Sequence, residues 1–487
     1  MNIFLVLLSG IFIVLPFFNP NLFFLSWIAF LPFLYSIHSN KFQNIFFKGW
    51  FLGFIILAGV GYPLYYPIQS FSGFNPLIVS FVLILTFGIL SLIYGLWAKM
   101  FSFLHETNNF NPFLFSFTWL AIEIVRHKIM AFFPLGYIGY TQANFNKLIQ
   151  IADLGGVFLI GFLILLVNGL LFKILISKKY KFMLYLVLIM ILVFSYGNYQ
   201  INIYETLNNN IKVGIIQTNI EQSEKWKAQN IEEYTDLVVQ NRKLFEDVDL
   251  IVSPESALTF DINRDNKYRK EILKRIDKIN KYFQLGFLAT KGDENRYYNS
   301  SYLMSPSGEI INRYDKNKLV LFGEKVLFPD LISKFTGYKL NSLKSGKSID
   351  IFKTPVAQWK TVICSEILYP EYLSQQNNKV DFIINQSNEA WFEDDRSFQN
   401  QMFASLVFRA IENRKSIVKA GNKTYGGIVY PSGKRKKINP GNKAKILKVN
   451  VNSGSSFFAK NNRYLMNAVL VFLIILLMKQ FIQESSQ

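Results

Sequence analysis

Hydrophobic positions are unevenly distributed along this chain. Through residues 1–197 they form long apolar runs close to the length of a bilayer span, at about 2–18, 22–37, 50–68, 76–98, 112–126, 154–176 and 181–196. An eighth run lies at about 465–482. Runs that are apolar on every side predict helices surrounded by lipid or by other helices. The first run has no basic n-region and no A-x-A site, and further runs follow at once, so it reads as a span and not as a signal peptide. Between residues 198 and 463 the pattern changes. Short apolar runs of strand length alternate with polar stretches and Gly, Pro and Asn. The predicted strands are IKVGIIQ, VDLIVSPE, FLATKG, NSSYLMSPSG, EIINRYDK, KTVICSE and VDFIINQS, with helices over 228–246, 266–282 and 397–414. Such alternation predicts an α/β layered fold. The expected organisation is a seven-helix membrane domain at 1–197, an α/β domain at 211–452 and a C-terminal transmembrane helix at 465–482.

Charge sharpens this division. The 487 residues carry 52 Lys and Arg against 33 Asp and Glu, a net charge of +19. Residues 1–197 hold only 10 basic and 3 acidic residues, while residues 198–463 hold 41 and 29. The basic residues are scattered apart from the run Lys434-Arg435-Lys436-Lys437, which favours an anionic lipid surface over nucleic acid as partner. If the N-terminus lies inside, the cytoplasmic loops carry Lys41, Lys48, Lys99, Lys178 and Lys179, and the loops at 19–21 and 69–75 carry no Lys or Arg. The loop after the fifth span breaks that bias with Arg126, Lys128 and Lys147. Its AFFPLGYIGY stretch reads as a segment dipping into the interface. Seven spans then place residues 198–463 outside the cytoplasm. A 51% hydrophobic composition excludes a disordered chain. One Cys excludes an intrachain disulfide framework and a Cys-based zinc site. The three His (His38, His105, His127) all fall in the membrane half, so the polar half has no His-based metal site.

Three polar residues end apolar strands in the α/β domain: Glu255 after LIVSP, Lys316 after EIINRYD and Cys364 after KTVI. Strand carboxyl ends are where layered α/β folds build sites. The chemistry is coherent. A Cys thiolate is a soft nucleophile, a Glu can take and return its proton, and a Lys can stabilise thiolate and oxyanion. Without His in the domain, Glu is the natural base. Each residue also has an ordinary alternative: a buried apolar Cys, a capping Glu, a solvated Lys. Only the coincidence of all three at strand ends singles them out.

The set resembles the nitrilase superfamily of carbon–nitrogen hydrolases, marked by a Glu-Lys-Cys triad on an αββα sandwich. Over nearly its full length the chain more closely resembles the apolipoprotein N-acyltransferase family. VSPESALTF matches the segment of the triad Glu at Glu255. RYDKNKLVLFGE is similar to Y-x-K-x-H-L-V-P-F-G-E, placing the triad Lys at Lys316 and a second carboxylate at Glu324. TVICSEILYP places the nucleophile at Cys364 and a supporting acid at Glu366. SNEAWF is similar to S-N-D-A-W-F and implicates Asn388, Trp391 and Phe392, and QSEKW implicates Trp226. FRAIENR is similar to R-A-x-E-x-x-R, with Arg409, Glu412 and Arg414. In the membrane block WLAIEIVR and FPLGYIGYTQ implicate Trp119, Glu123, Arg126, Pro134, Gly139 and Tyr140. The departures are Leu321 for Pro, Lys318 for His, Ser365 for Tyr, Glu389 for Asp, Leu135 for Trp and Gly421-Asn422 for Asn-Asn. None removes a triad member; they bear on pocket shape.

The resemblance implies a two-step acyl transfer without a cofactor. Cys364 would take the acyl group of a membrane phospholipid as a thioester, with the oxyanion held by Lys316 and the backbone N–H of Ser365. The α-amino group of an N-terminal diacylglyceryl-cysteine on a lipoprotein would then receive it. It also implies a monomer in the bacterial inner (cytoplasmic) membrane, with the catalytic domain on the periplasmic face. Some residues keep alternatives. Trp226 and Trp391 could be core or interface anchors, Glu123 and Arg126 could pair with each other, and Glu366 could orient the nucleophile turn. Two other classes stay open: a tethered amidase resolved by water, and a transporter or receptor whose α/β domain only binds. The seven-span block argues against a mere tether. The scarcity of mid-span charges, of which Glu123 is the one to weigh, argues against a transporter.

Overall fold

The computed structural model describes residues 3–39, 43–105, 110–207, 209–227, 229–277, 279–292, 296–321, 323–325 and 342–485. Lys41, one of the loop cations above, lies outside the described residues. Each apolar run is helical: Ile3–Phe18, Leu31–Ser39, Ile45–Gly61, Pro76–Leu90 with Leu92–Leu104, Pro112–Ile129, Ala152–Ser177, Lys181–Glu205 and Phe457–Ser485. Local sequence sets several starts. Asn75 and Asn111 cap the backbone N–H groups of Leu77 and of Phe113 and Leu114, and each is followed by Pro at the first helical position.

Six helical stretches are long and apolar enough to cross a membrane among the described residues. Two of the eight predicted spans fall short of that standard. Ile3–Phe18 has only 16 residues. Pro112–Ile129 carries Glu123, Arg126, His127 and Lys128 in its last two turns. Glu123 and Arg126 do not meet lipid: each is 1% exposed, packed inside the protein, whereas Lys128 is exposed.

The described residues of the α/β part form two six-stranded sheets. One has the order β12-β1-β2-β3-β4-β5, with β1 Asn210–Gln217, β2 Leu250–Val252, β3 Tyr282–Ala289, β4 Tyr298–Met304, β5 Ile310–Asp315 and β12 Lys443–Asn450. The other has the order β11-β10-β9-β8-β7-β6, with β6 Ile351–Lys353, β7 Gln358–Ile363, β8 Phe382–Asn388, β9 Ser416–Asn422, β10 Gly426–Val429 and β11 Arg435–Ile438. Each sheet has three parallel central strands flanked by antiparallel ones. The sheets pack face to face through Val213, Ile215 and Val252 on one side and Trp359, Phe382 and Val418 on the other. Helices Gln229–Gln240 and Asn266–Asp277 cover the outside of the first sheet, burying Tyr234, Val238 and Ile272. Helix Arg396–Asn413 covers the outside of the second, and its core is continuous with that of the membrane bundle. The result is an αββα sandwich of nitrilase type with one helical layer seated on a membrane bundle.

Two predicted helices are shorter than their patterns. The 228–246 stretch breaks at Asn241 into Gln229–Gln240 and Arg242–Phe245. The 266–282 stretch ends at Asp277, and Tyr282 instead opens β3, paired in parallel with Leu250 of β2. Ladder pairing outweighs helical periodicity there.

Candidate active site

The site is assembled where strand ends of the two sheets meet. Glu255 follows β2, Lys316 follows β5, Cys364 follows β7 and Asn388 ends β8. Two of these turns hold strained backbone. Cys364 has φ 50° and Ser256, beside Glu255, has φ 44°, both in the left-handed region that non-glycine residues avoid. At Cys364 the chain leaves β7 and enters the short 3-10 helix Cys364–Leu368, which lifts the thiol out of the strand. Gly286 of β3 lets the Glu255 turn pass: a Cβ there would lie 2.5 Å from the Pro254 carbonyl oxygen and 2.6 Å from the Ser256 nitrogen.

The carboxylates converge on one ammonium. Lys316 Nζ donates to Glu324 at 2.9 Å and to Glu255 Oε1 at 3.4 Å, and the lysine is 1% exposed. Asn299 Nδ2 bridges the two acids, donating to Glu255 Oε1 at 2.7 Å and Glu324 Oε1 at 2.9 Å. The second oxygen of Glu255 accepts from the Asn388 backbone N–H at 2.7 Å, and that of Glu324 accepts from Val320 N–H at 3.0 Å. Burial opposes the charge on Lys316, but Glu324 and Glu255 hold its pKa well above the ordinary value. Cys364 Sγ lies 4.0 Å from the Asn388 carbonyl oxygen. Its thiol is pushed up to about 12, first by burial and then by the Glu255 charge, while Lys316 acts in the opposite direction. The resting thiol is therefore neutral.

Glu366 is fully buried and braces the turn. Oε2 accepts from Ile363 N–H at 2.8 Å and Tyr314 Oη at 2.7 Å, while Oε1 accepts from Asn317 N–H at 2.7 Å and Lys318 N–H at 3.0 Å. One carboxylate thus ties the Cys364 turn to the Lys316 turn. Glu389 is buried on Lys419 at 2.5 Å and Thr424 Oγ1 at 2.6 Å. Asn388 is itself anchored, donating to Gln222 Oε1 at 3.0 Å and accepting from Asn422 Nδ2 at 2.8 Å.

Sequence reasoning missed a second buried cation. Lys225 is 6% exposed, donates to the Glu255 carbonyl oxygen at 3.2 Å and feels the charges of Glu255, Cys364 and Lys316. Burial lowers its pKa to about 8 against the pull of Glu255 and Cys364. Its neighbour Trp226, singled out from the same motif, is 57% exposed. The only sequence signal for Lys225 was its place beside that Trp. Trp391 is half-buried on the short 3-10 helix Ala390–Phe392, and Phe392 stacks on Phe398 at a centroid distance of 3.5 Å. Trp119, Glu123 and Arg126 are not brought to the thiol by any described contact. Trp119 packs among Phe30, Tyr94 and Trp97. Glu123 Oε1 accepts from Ile138 N–H at 3.2 Å, and Arg126 Nη1 donates to the Leu135 carbonyl at 2.8 Å and lies over the Tyr137 ring. They brace the segment that carries Pro134 and Gly139.

Comparison with known proteins matches this architecture in two parts. A family model described as the apolipoprotein N-acyltransferase N-terminal domain matches residues 9–170, and one described as carbon-nitrogen hydrolase matches residues 212–447. The apolipoprotein N-acyltransferase of Geobacter metallireducens is 30% identical over 94% of this chain and 90% of its own length. The chain belongs to the apolipoprotein N-acyltransferase family. The member from Aquifex aeolicus is also 30% identical, over 88% of this chain and 93% of its own. Among solved structures, Saccharomyces cerevisiae Nit3 of the nitrilase superfamily is 16% identical over 50% of this chain and 91% of its own, with a TM-score of 0.38. Family membership and the apolar helices make this a multi-pass membrane protein with a carbon-nitrogen hydrolase domain.

Within the family frame the R-A-x-E-x-x-R segment has a docking role. Arg409 donates to Glu412 at 2.5 Å and to Tyr140 Oη at 3.1 Å, and Glu412 Oε1 accepts from Val157 N–H of the bundle at 2.8 Å. Arg414 donates to Asp153 at 2.6 Å and to Gln150 Oε1 at 2.7 Å. His127 Nε2 lies 2.7 Å from Glu371 Oε2.

Proposed function

We propose that this protein moves a fatty acyl chain from a membrane phospholipid to the α-amino group of the N-terminal diacylglyceryl-cysteine of apolipoproteins. Membership of the apolipoprotein N-acyltransferase family supports lipoprotein N-acylation. The observation that carries the mechanism is a Cys364 thiol on a strained strand-end turn, electrostatically coupled to a Glu255–Lys316–Glu324 cluster.

In the first step Glu255 takes the Sγ proton as sulfur attacks the ester carbonyl. The tetrahedral oxyanion is held by the Lys316 ammonium and the Ser365 backbone N–H in the first turn of the 3-10 helix Cys364–Leu368. Collapse breaks the C–O bond, Glu255 returns its proton to the departing oxygen, and a lysophospholipid leaves. The product is a Cys364 thioester. In the second step the acceptor amine attacks this carbonyl and Glu255 takes a proton from nitrogen. Collapse breaks the C–S bond, and the proton passes to sulfur to restore the thiol. Glu324 keeps Lys316 charged, and Lys225 balances the charge when thiolate or oxyanion forms. Glu366 and Asn388 position the reacting groups. Trp226 and Trp391, with exposed indole surface, and Phe392 behind them, line the lipid approach. Trp119, Glu123 and Arg126 support the membrane side of that approach by holding residues 130–142.

The domain, residues 211–452, faces away from the cytoplasm of a bacterial inner membrane, in line with the lysine bias of the loops. The proposed form is a monomer. Intact-protein mass spectrometry on detergent-purified protein incubated with phospholipid tests the reading. An acyl-sized adduct should form on the wild type and not on Cys364→Ala, and a diacylglyceryl-cysteine peptide should remove it and gain the acyl group. An adduct that water clears as fast, with no acylated peptide, would make the protein a hydrolase. No adduct from any lipid would end the enzyme reading.

A further inference from the structure

Polar side chains interrupt the apolar layer between the two sheets. Side chains alternate along a strand. Phe382 and Ile384 of β8, Trp359 and Ile363 of β7 and Leu303 of β4 all face this layer, and Tyr282 of β3 packs on it. The same alternation puts Gln386, Thr361, Ser301 and Gln284 on those faces. All four are fully buried.

The two glutamines bond from sheet to sheet. Gln386 Nε2, on the second sheet, donates to the Ser253 carbonyl at 2.8 Å and to the Gln284 carbonyl at 3.4 Å, both on the first. Gln284 uses its whole amide. Nε2 donates to Ser301 Oγ at 2.8 Å and to Thr361 Oγ1, and Oε1 accepts from Trp359 Nε1 at 2.7 Å. These ties lie just beneath the reacting groups. Ser253 is two residues before Glu255, and Gln386 is two before Asn388, whose N–H donates to Glu255 Oε2. The Gln386–Ser253 bond is thus the next rung below the Asn388–Glu255 bond, about 7 Å along the strands. Thr361 is three residues before Cys364.

Glu255 follows a strand of the first sheet and Cys364 a strand of the second, so the spacing of carboxylate and thiol is a spacing between sheets. Apolar contacts between sheets have no direction, whereas a hydrogen bond fixes a distance and an angle. Stability does not account for an amide at 386. Its Oε1 is buried and meets no described donor, a cost that an apolar side chain avoids. We propose that Gln386 and Gln284 are positioning residues, which set the Glu255–Cys364 distance by clamping β2 and β3 to β7 and β8. The inference rests on the reading of Glu255 as the base, and the clamp acts through that residue.

The test is the pH profile of Cys364 alkylation by iodoacetamide, measured without lipid, beside acyl-enzyme formation from phospholipid. Glu255 raises the thiol pKa, so a Glu255 that drifts away lowers the midpoint of the profile. Gln386→Leu should lower it by about half a pH unit or more and slow acyl-enzyme formation on the order of 10²-fold. Thr361→Val removes one partner of Gln284 with little change of shape and should lower the midpoint by about 0.3 pH unit. It carries the test if Gln386→Leu does not fold. Val449→Ala opens the same layer at the edge strand β12, and should lower the melting temperature while leaving the profile in place. In a Glu255→Gln background Gln386→Leu should shift the profile no further, because its effect runs through Glu255. A folded Gln386→Leu or Thr361→Val with the wild-type profile would overturn the proposal. So would an equal shift in Val449→Ala or in the Glu255→Gln background, since either would mark a general loosening of the layer. Alkylation needs no lipid, so a wild type without an acyl adduct would count against the acyl-transfer reading and not against the clamp.

Discussion

Cys364 sits between opposing fields, and its protonation follows from which neighbour is removed. Glu255 raises the thiol pKa and Lys316 lowers it. Glu255→Gln should therefore shift the pH profile of Cys364 alkylation to lower pH while acyl-enzyme formation falls on the order of 10²–10⁴-fold. Lys316→Met should move the alkylation profile to higher pH and slow acyl-enzyme formation on the order of 10²–10³-fold. Opposite shifts in the two variants, read by iodoacetamide kinetics across pH, separate an electrostatic role from a folding defect. Lys225→Met should move the profile in the same direction as Lys316→Met, and Lys225→Arg should restore most of it. Glu255, Lys316 and Cys364 were legible in the sequence because each ends an apolar strand. Lys225 was not, since it follows no strand and is one of 52 basic residues. Its role depends on a loop fold that ties Gln222 to Asn388 and Ile220 to Asn422.

Strand ends and turns form the next scale. Gly286→Ala would put a methyl group against the Pro254 carbonyl and Ser256 nitrogen, both backbone atoms that cannot swing aside. The expected result is a displaced Glu255 turn, with acyl-enzyme formation reduced on the order of 10²-fold and a smaller loss of melting temperature. Burst amplitude and calorimetry on the same sample check both halves. The predicted strands were those with strong apolar runs. β6, β9, β10, β11 and β12 were not read. β11 (RKKI) and β12 (KAKILKVN) look charged because they are edge strands with one face in water. β9 is fully buried but follows helix Arg396–Asn413 almost at once, so no turn signal separates the two. The apolar helices were legible by length, whereas the burial of Glu123 and Arg126 inside the bundle was not.

At the scale of the molecule, helix Arg396–Asn413 joins the α/β domain to the membrane bundle. Arg414 and Asp153 are 0% and 5% exposed and pair across the seam. Arg414→Met leaves a buried carboxylate unpaired and should destabilise the protein by about 3–5 kcal/mol, read as a lowered unfolding midpoint in detergent. Residues 211–452 expressed without the bundle should expose Phe398, Phe403 and Leu406 and elute as aggregates in size-exclusion chromatography. What the sequence by itself determined was local in origin: apolar run length set the spans, strand patterning set the layered domain, and strand-end chemistry with its flanking motifs marked the candidate site residues. Tertiary structure decided which charges meet. The convergence of Glu255, Glu324 and Lys225 around the Cys364–Lys316 pair and the docking role of Arg409 and Arg414 each join residues far apart in the chain. Pairing energies of that kind depend on distance and burial in space, and neither is written in the order of residues along the chain.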